Sequence, residues 1–209
     1  MAGSTGARGG GDGMLTTSSP AFEDVAAVMG TRGDASRCWC QFFRLTNAAM
    51  RPLAVDDLRE RMRTDLATDG PSPGVVATLD GEPVGWCAVA PWSAYPRLWT
   101  SPSALGADVE RGSSQRDGVW SVTCFVVRPG HRRRGLARTL LRAAVEHARS
   151  HGAHTVEAYP VDPGTRRVSS NELYHGTVSL FEGAGFTVVS SPRPGRAVVR
   201  LALADGAAR

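Results

Sequence analysis

The hydrophobic pattern of this chain switches between two periods. Gly74–Leu79 and residues 84–90 are dense in β-branched and small apolar residues and are bounded by Pro and Gly. They read as two strands joined by a hairpin turn at Asp80-Gly81-Glu82-Pro83. Residues 122–127 (VTCFVV) carry no charge and read as a buried central strand. Pro129 cannot donate to a sheet ladder, so that strand ends near Arg128. From Leu136 the period lengthens. Leu136, Leu140, Leu141, Ala144, Val145 and Ala148 share one helical face, and Arg138, Arg142, Glu146 and Arg149 occupy the other. Gly152 stops this helix.

The flanks are shorter and less regular. Residues 20–29 and 56–68 read as helices, and 38–45 (CWCQFFRL) as a helix or packed loop dense in aromatics. Residues 91–118 form a long loop holding Trp92, Tyr95 and Trp99. Residues 154–161 read as a strand, 162–170 as a polar connection, 173–183 as a helix ended by Gly183-Ala184-Gly185, and 186–189 and 197–203 as closing strands. There is no internal repeat and no domain boundary. Residues 1–16 are expected to be a flexible Gly-rich tail and 17–205 a single domain, which 209 residues can supply with a real core. No apolar run is long enough to span a bilayer, and the N-terminus lacks the apolar stretch of a secretory signal. The expected compartment is the cytoplasm, with no membrane partner.

The net charge is +4, and all 24 basic residues are arginines. Acidic residues are dispersed, and the dense basic cluster is Arg132-Arg133-Arg134, so a nucleic-acid partner is not expected. Four cysteines, Cys38, Cys40, Cys87 and Cys124, have no zinc-ligand spacing and read as small buried or pocket-lining residues. No metal is expected. The basic cluster lies where the central strand gives way to the long helix. Free N–H groups at a helix start attract anions, and Gly135 and Ala137 keep the surface small enough for a diphosphate to reach the backbone.

Strand, turn and helix together resemble the GCN5-related N-acetyltransferases (GNAT). That family's signature of Arg or Gln, two residues, Gly, one residue, then Gly or Ala is met by Arg132, Gly135 and Ala137. The approach to the turn matches at Val127-Arg128-Pro129. The resemblance runs from about residue 74 to 203. It implies an α/β (α+β) fold with a mixed central sheet, splayed between strands 4 and 5 and flanked by helices. It also implies acetyl-CoA as cosubstrate and direct attack by an amine. The implied coenzyme contacts are Phe125, Val126, Val127, Arg132, Arg133, Arg134, Gly135, Leu136, Ala137, Arg138, Tyr174 and Phe181. A homodimer is the implied assembly.

The expected reaction is acetyl transfer to a small primary amine. The alternatives are a peptide N-terminal acetyltransferase and a silent acyl-CoA sensor or scaffold. The sensor draws support from Phe181, which stands where the family often has a tyrosine acting as general acid. Tyr174 replaces a family Asn seven residues earlier, on the same face of the expected helix but too far along it to supply the missing phenol. Glu157 is the candidate base, with a salt-bridged strand glutamate as the other reading, and His175 is a remote candidate. Trp39, Phe42, Phe43, Trp92, Tyr95 and Tyr159 are expected to line the acceptor pocket or to belong to the core.

Overall fold

The computed structural model describes residues 14–30, 33–100, 116–164, 169 and 172–203. The chain runs β1 (Leu15–Ser18), α1 (Phe22–Met29), α2 (Asp34–Cys38), α3 (Asn47–Met50), α4 (Val55–Ala67), β2 (Gly74–Leu79), β3 (Glu82–Pro91), α5 (Arg97–Thr100) and β4 (Val119–Val127). It continues with α6 (Leu136–Ser150), β5 (Thr155–Ala158), α7 (Val178–Glu182), β6 (Thr187–Arg193) and β7 (Arg196–Ala202). Short 3-10 turns occupy Trp92–Ala94, Pro129–His131 and Glu172–His175. The strands form one seven-stranded sheet in the order β1-β2-β3-β4-β5-β7-β6. The β4–β5 pair is parallel and its neighbours are antiparallel.

The sheet is covered on both faces. On one, Leu140, Leu141, Ala144 and Ala148 of α6 pack on Val75, Cys87, Val89, Val122 and Val156. Full burial of a leucine stabilises by about 1.5–3 kcal/mol, so this stripe anchors α6. On the other face, α1 and α4 bring Val25, Met29, Leu58 and Met62 against Val76, Trp86 and Val126.

Three departures from the sequence pattern matter for the site. β1 begins at Leu15, inside the stretch expected to be a tail, and pairs with β2 from Leu15↔Leu79 to Ser18↔Val76. Its short polar sequence carries little signal and is ordered by the waiting edge of β2. Residues 1–13 lie outside the described residues. The long loop is shorter than expected: residues 92–100 form a 3-10 turn and α5 whose Trp92, Tyr95 and Leu98 are fully buried. Residues 101–115 lie outside the described residues. The helix expected over 173–183 is broken at Gly176, with φ +72°. There Gly176 O accepts from Val161 N, and Val178 N donates to Val161 O. Pairing with Val161 replaces the helical bonds, and the Thr177 side chain caps α7.

β4 and β5 part company midway. Their ladder runs from Val119↔Thr155 to Val122↔Ala158, while β4 continues to Val127. Thr123 is skipped in the β3–β4 register, between Ala88↔Cys124 and Val89↔Val122. This bulge re-aims the strand. Beyond it, Phe125 faces the α6 side, whereas Cys124 and Val126 face the α1–α4 side. The turn Glu172–His175 sits in the opening, held to one wall through His175 and Thr123 and to the other through Gly176 and Val161.

Candidate functional site

Two cavities flank the free half of β4. The first, a crevice of about 440 Å³, is lined by Phe125, Val127, Arg132, Arg133, Gly135, Leu136, Ala137, Arg138, Leu173, Tyr174 and Leu180. Its floor is the turn into α6. Arg133 has φ +62° and Gly135 φ +78°, and such left-handed residues fan successive N–H groups toward one point. Among the described residues, no protein acceptor meets the N–H groups of Arg133, Arg134, Gly135, Leu136 or Ala137. A Cβ built on Gly135 meets nothing within 4 Å, so the surface is open. Arg132 Nε donates to Val127 O at 3.1 Å, which fixes its stem along the crevice rim. This is a concave donor surface under a helix start with arginines around it, suited to a polyanion.

Nine of the twelve residues implied as coenzyme contacts line this crevice. The other three do not. Val126 points its side chain to the opposite face of β4, because alternation carries it there. Arg134 is exposed and directed away from the lining. Phe181 is fully buried, edge-on to Phe125 and Phe186 at 5.9 and 5.1 Å, so it is core rather than crevice. Leu173 and Leu180 take the apolar contacts instead. The break at Gly176 also removes the shared helix face expected for Tyr174 and Phe181. Tyr174 stands between the two cavities and lines both.

The second cavity, about 360 Å³, is an apolar chamber on the other side of β4. Phe42, Phe43, Cys38, Cys40, Cys124 and Val126 form most of its wall, and Asp34, Tyr174 and His175 supply its polar groups. Trp39 and Cys40 are both left-handed non-glycine residues, φ +49° and +53°. That pair of turns, costing about 1–2 kcal/mol per residue, sends Trp39 into the core and Cys40 into the chamber. Arg97 is buried behind the wall, hydrogen-bonded to Phe42 O and to the Asn47 side chain, with its guanidinium 4.0 Å from the Phe42 ring centre. All four cysteines are free thiols. Burial pushes Cys38 up to about 11, and contact with Cys40 followed by burial raises Cys124, so both stay protonated at neutral pH.

Most of the aromatics expected around the acceptor lie elsewhere. Phe42 and Phe43 line the chamber, but Trp39 stacks on Phe22, and Trp92 and Tyr95 are fully buried beside Leu98. Tyr159 is buried and donates to Glu157 Oε1 at 2.7 Å. Trp92, Tyr95 and Tyr159 fill the core because the 92–98 segment packs on Ala90, Val119 and Val198 of the sheet, a tertiary choice with no local signature.

Glu157 does not have a base's surroundings. Its side chain is 1% exposed and receives Arg116 on both oxygens at 3.1 and 3.0 Å, Arg200 Nε at 2.6 Å and the Tyr159 hydroxyl. Burial alone would raise its pKa. The hydrogen bonds from Arg116, Tyr159 and Arg200 outweigh that and hold it below the usual carboxylate value. It is a clamped anion that ties β5 to β7 and to Arg116.

His175 is the polar residue that composition hid among five histidines. Its Nδ1 lies 3.0 Å from Thr123 O, at the first β4 residue beyond the ladder with β5. Its ring stands edge-on to Phe43 at 5.6 Å. Only the pairing of Gly176 with Val161 brings it there.

The sequence matches the Acetyltransferase (GNAT) family over residues 39–174. No curated protein matches it. Among solved structures, the putative acetyltransferase yncA from Salmonella typhimurium, determined with its cofactor acetyl-CoA, is 20% identical. That alignment covers 93% of this chain and 96% of that one, with a TM-score of 0.53. The GNAT domain of S. lividans PAT is 20% identical over 96% and 97% of the two chains, TM-score 0.54. The paia N-acetyltransferase from Thermoplasma acidophilum, in complex with coenzyme A, is 11% identical over 90% and 99%, TM-score 0.53. At these identities the structural likeness speaks for the fold, and the family match covers well over half of the chain. The chain therefore belongs to the acetyltransferase (GNAT) family, whose members are acetyl-CoA-dependent transferases.

Proposed function

We propose that this chain transfers the acetyl group of acetyl-CoA to the primary amine of a small molecule with an apolar body, by direct attack in a ternary complex. One observation carries the reading: a turn at Arg133–Ala137 whose N–H groups meet no protein acceptor among the described residues borders a crevice that meets an apolar chamber at Tyr174, across the free half of β4. The coenzyme's diphosphate fits the turn Arg132–Ala137. Its pantetheine arm fits along Phe125 and Val127, whose strand edge lacks a β5 partner. The acetyl group then reaches the opening, where an amine seated in the chamber meets it. Placing both reactants there converts a bimolecular encounter into an oriented one. Cys38 and Cys124, held protonated at neutral pH, speak against an acyl-enzyme.

The chamber favours an alkyl or arylalkyl amine. Its volume is that of a small-molecule pocket, its wall is thiol and aromatic, and Asp34 is its one carboxylate among the described residues. The silent-sensor reading rests on the buried phenyl ring of Phe181, which leaves no phenol at that position.

Calorimetry with acetyl-CoA, followed by thiol release with arylalkylamines, alkylamines, polyamines and short peptides, tests the proposal. Expected are acetyl-CoA binding and turnover with the arylalkyl or alkyl amines. Binding without thiol release across all four classes would leave the sensor. Absence of acetyl-CoA binding would remove the crevice assignment.

A further inference from the structure

The turn wedged into the opening between β4 and β5 carries an imidazole into the chamber wall, next in sequence to Tyr174, which lines both cavities. We infer that His175 takes the proton from the attacking amine and returns it to the departing thiolate. This rests on the acetyl-transfer reading above and adds to it the group that moves the proton.

The geometry sets the tautomer. Thr123 O is a carbonyl and can only accept, so His175 Nδ1 carries a hydrogen and donates it. Nε2 of the neutral ring is then a lone-pair acceptor, and no protein group among the described residues bonds it. The same bond fixes the ring plane, and the edge contact with Phe43 supports it from the chamber side. An oriented neutral imidazole is the ordinary form of a general base.

Burial, more than the surrounding charges, favours the neutral ring. Burial lowers its pKa below the ordinary 6.5; the bond to Thr123 O opposes this, Arg196 of β7 adds to it, and Glu172 of its own turn opposes it. From the other walls, Asp34 of α2, the thiols of Cys38, Cys40 and Cys124, and the Tyr174 hydroxyl face the same chamber. The Cys38 and Cys124 thiols are protonated at neutral pH, and Tyr174 is raised above its ordinary value by burial first and Asp34 second. His175 is thus the group in the chamber best matched to exchange a proton near neutrality.

The step balances without any further reactant. The amine nitrogen bonds to the thioester carbonyl carbon, and one N–H proton passes to Nε2. The carbonyl re-forms as the C–S bond breaks. The imidazolium then gives its Nε2 proton to the sulfur, leaving an amide, a free thiol and a neutral His175. An ammonium substrate first releases one proton to solvent. Using one residue for both transfers fits a chain whose Glu157 is clamped and whose residue 181 has no hydroxyl.

His175→Asn and His175→Ala test this. Asparagine places an amide N–H near the Nδ1 position, keeping the tie to Thr123 O without a base. Acetyl-CoA affinity by calorimetry is expected within about threefold of wild type in His175→Asn, with kcat/KM for the amine down about 10²–10⁴-fold, the usual range for a general base. The acidic limb of the wild-type kcat/KM profile, set below pH 6.5, disappears in both variants, and added imidazole restores part of the rate in His175→Ala. Wild-type kcat/KM with an unchanged acidic limb in His175→Asn, acetyl-CoA binding intact, overturns this inference alone. Equal losses of acetyl-CoA affinity and turnover in both variants overturn it too, by assigning His175 a positioning role. A wild-type protein that binds acetyl-CoA but acetylates no amine overturns this inference and the function it rests on.

Discussion

Gly135→Glu sets the two properties of the turn against each other. Gly135 sits at φ +78°, where an L side chain costs about 1–2 kcal/mol, but a Cβ there meets no atom within 4 Å. The fold should therefore survive. In a domain of this size each kcal/mol moves Tm by about 2–4 °C, so a loss of about 2–8 °C is expected. Binding is another matter. The new carboxylate projects over the N–H groups of residues 133–137, which meet no protein acceptor among the described residues, and within reach of Arg132, Arg133 and Arg138. It satisfies those donors itself and repels a diphosphate. Losing two charge-assisted hydrogen bonds at about 1.5–3 kcal/mol each removes about 3–6 kcal/mol of affinity, a rise in Kd of about 10²–10⁴-fold. Gly135→Ala carries the same backbone strain without the charge and should keep Kd within about tenfold. Calorimetry with acetyl-CoA on the three proteins reads both effects beside their melting curves. A Gly135→Glu protein that binds within threefold of wild type refutes the anion-site reasoning. Equal losses in both variants would trace the effect to backbone strain instead.

Further outcomes follow from the same geometry. Glu157→Gln should cost about 1–3 kcal/mol at neutral pH, the worth of charged hydrogen bonds, reduced because Arg200 is 45% exposed, and turnover should stay within a few-fold. Because the folded pKa of Glu157 is depressed below 4.5, its contribution is present above that pH and is lost as pH falls through the folded value. Wild-type Tm should drop more steeply than that of Glu157→Gln below about pH 4.5, and parallel curves would count against the clamp. Phe181→Tyr should lower stability by about 1–3 kcal/mol through an unpaired buried hydroxyl, without raising kcat; a higher kcat would show the ring reaching the reacting sulfur. Gly176→Ala combines φ +72° with a Cβ 2.9 Å from the Phe181 ring and 3.2 Å from Leu180. It should destabilise by at least about 1–2 kcal/mol and lower kcat through displacement of His175, and a protein of unchanged Tm would contradict the tight packing described at that turn.

The crevice was legible along the chain because its parts are contiguous. One strand, one turn and one helix supply Phe125, Val127 and Arg132–Arg138, and Gly135 and Ala137 mark where the backbone must stay bare. The chamber was not legible. Its wall joins residues 34–43 to β4 and to the turn at 172–175, and local pattern cannot say which aromatics of a dense patch face inward. Trp39 and Cys40 are neighbours that point opposite ways, through two left-handed residues that composition does not announce. The apolar face of 173–183 looked helical, since its residues suit a helix. The bonds of Gly176 and Val178 to Val161 outweighed that preference and made Tyr174 and His175 a wedge.

The sequence alone determined the family, the central sheet with α6 against it, and the phosphate-sized turn, because each depends on periodicity or on residues within one stretch. Tertiary structure decided where β4 and β5 separate, that Glu157 is pinned by Arg116 and Arg200, and that His175 reaches the opening. The last two outcomes depend on groups 41–52 positions apart in the chain, whose meeting is set by sheet register and burial rather than by neighbours in sequence.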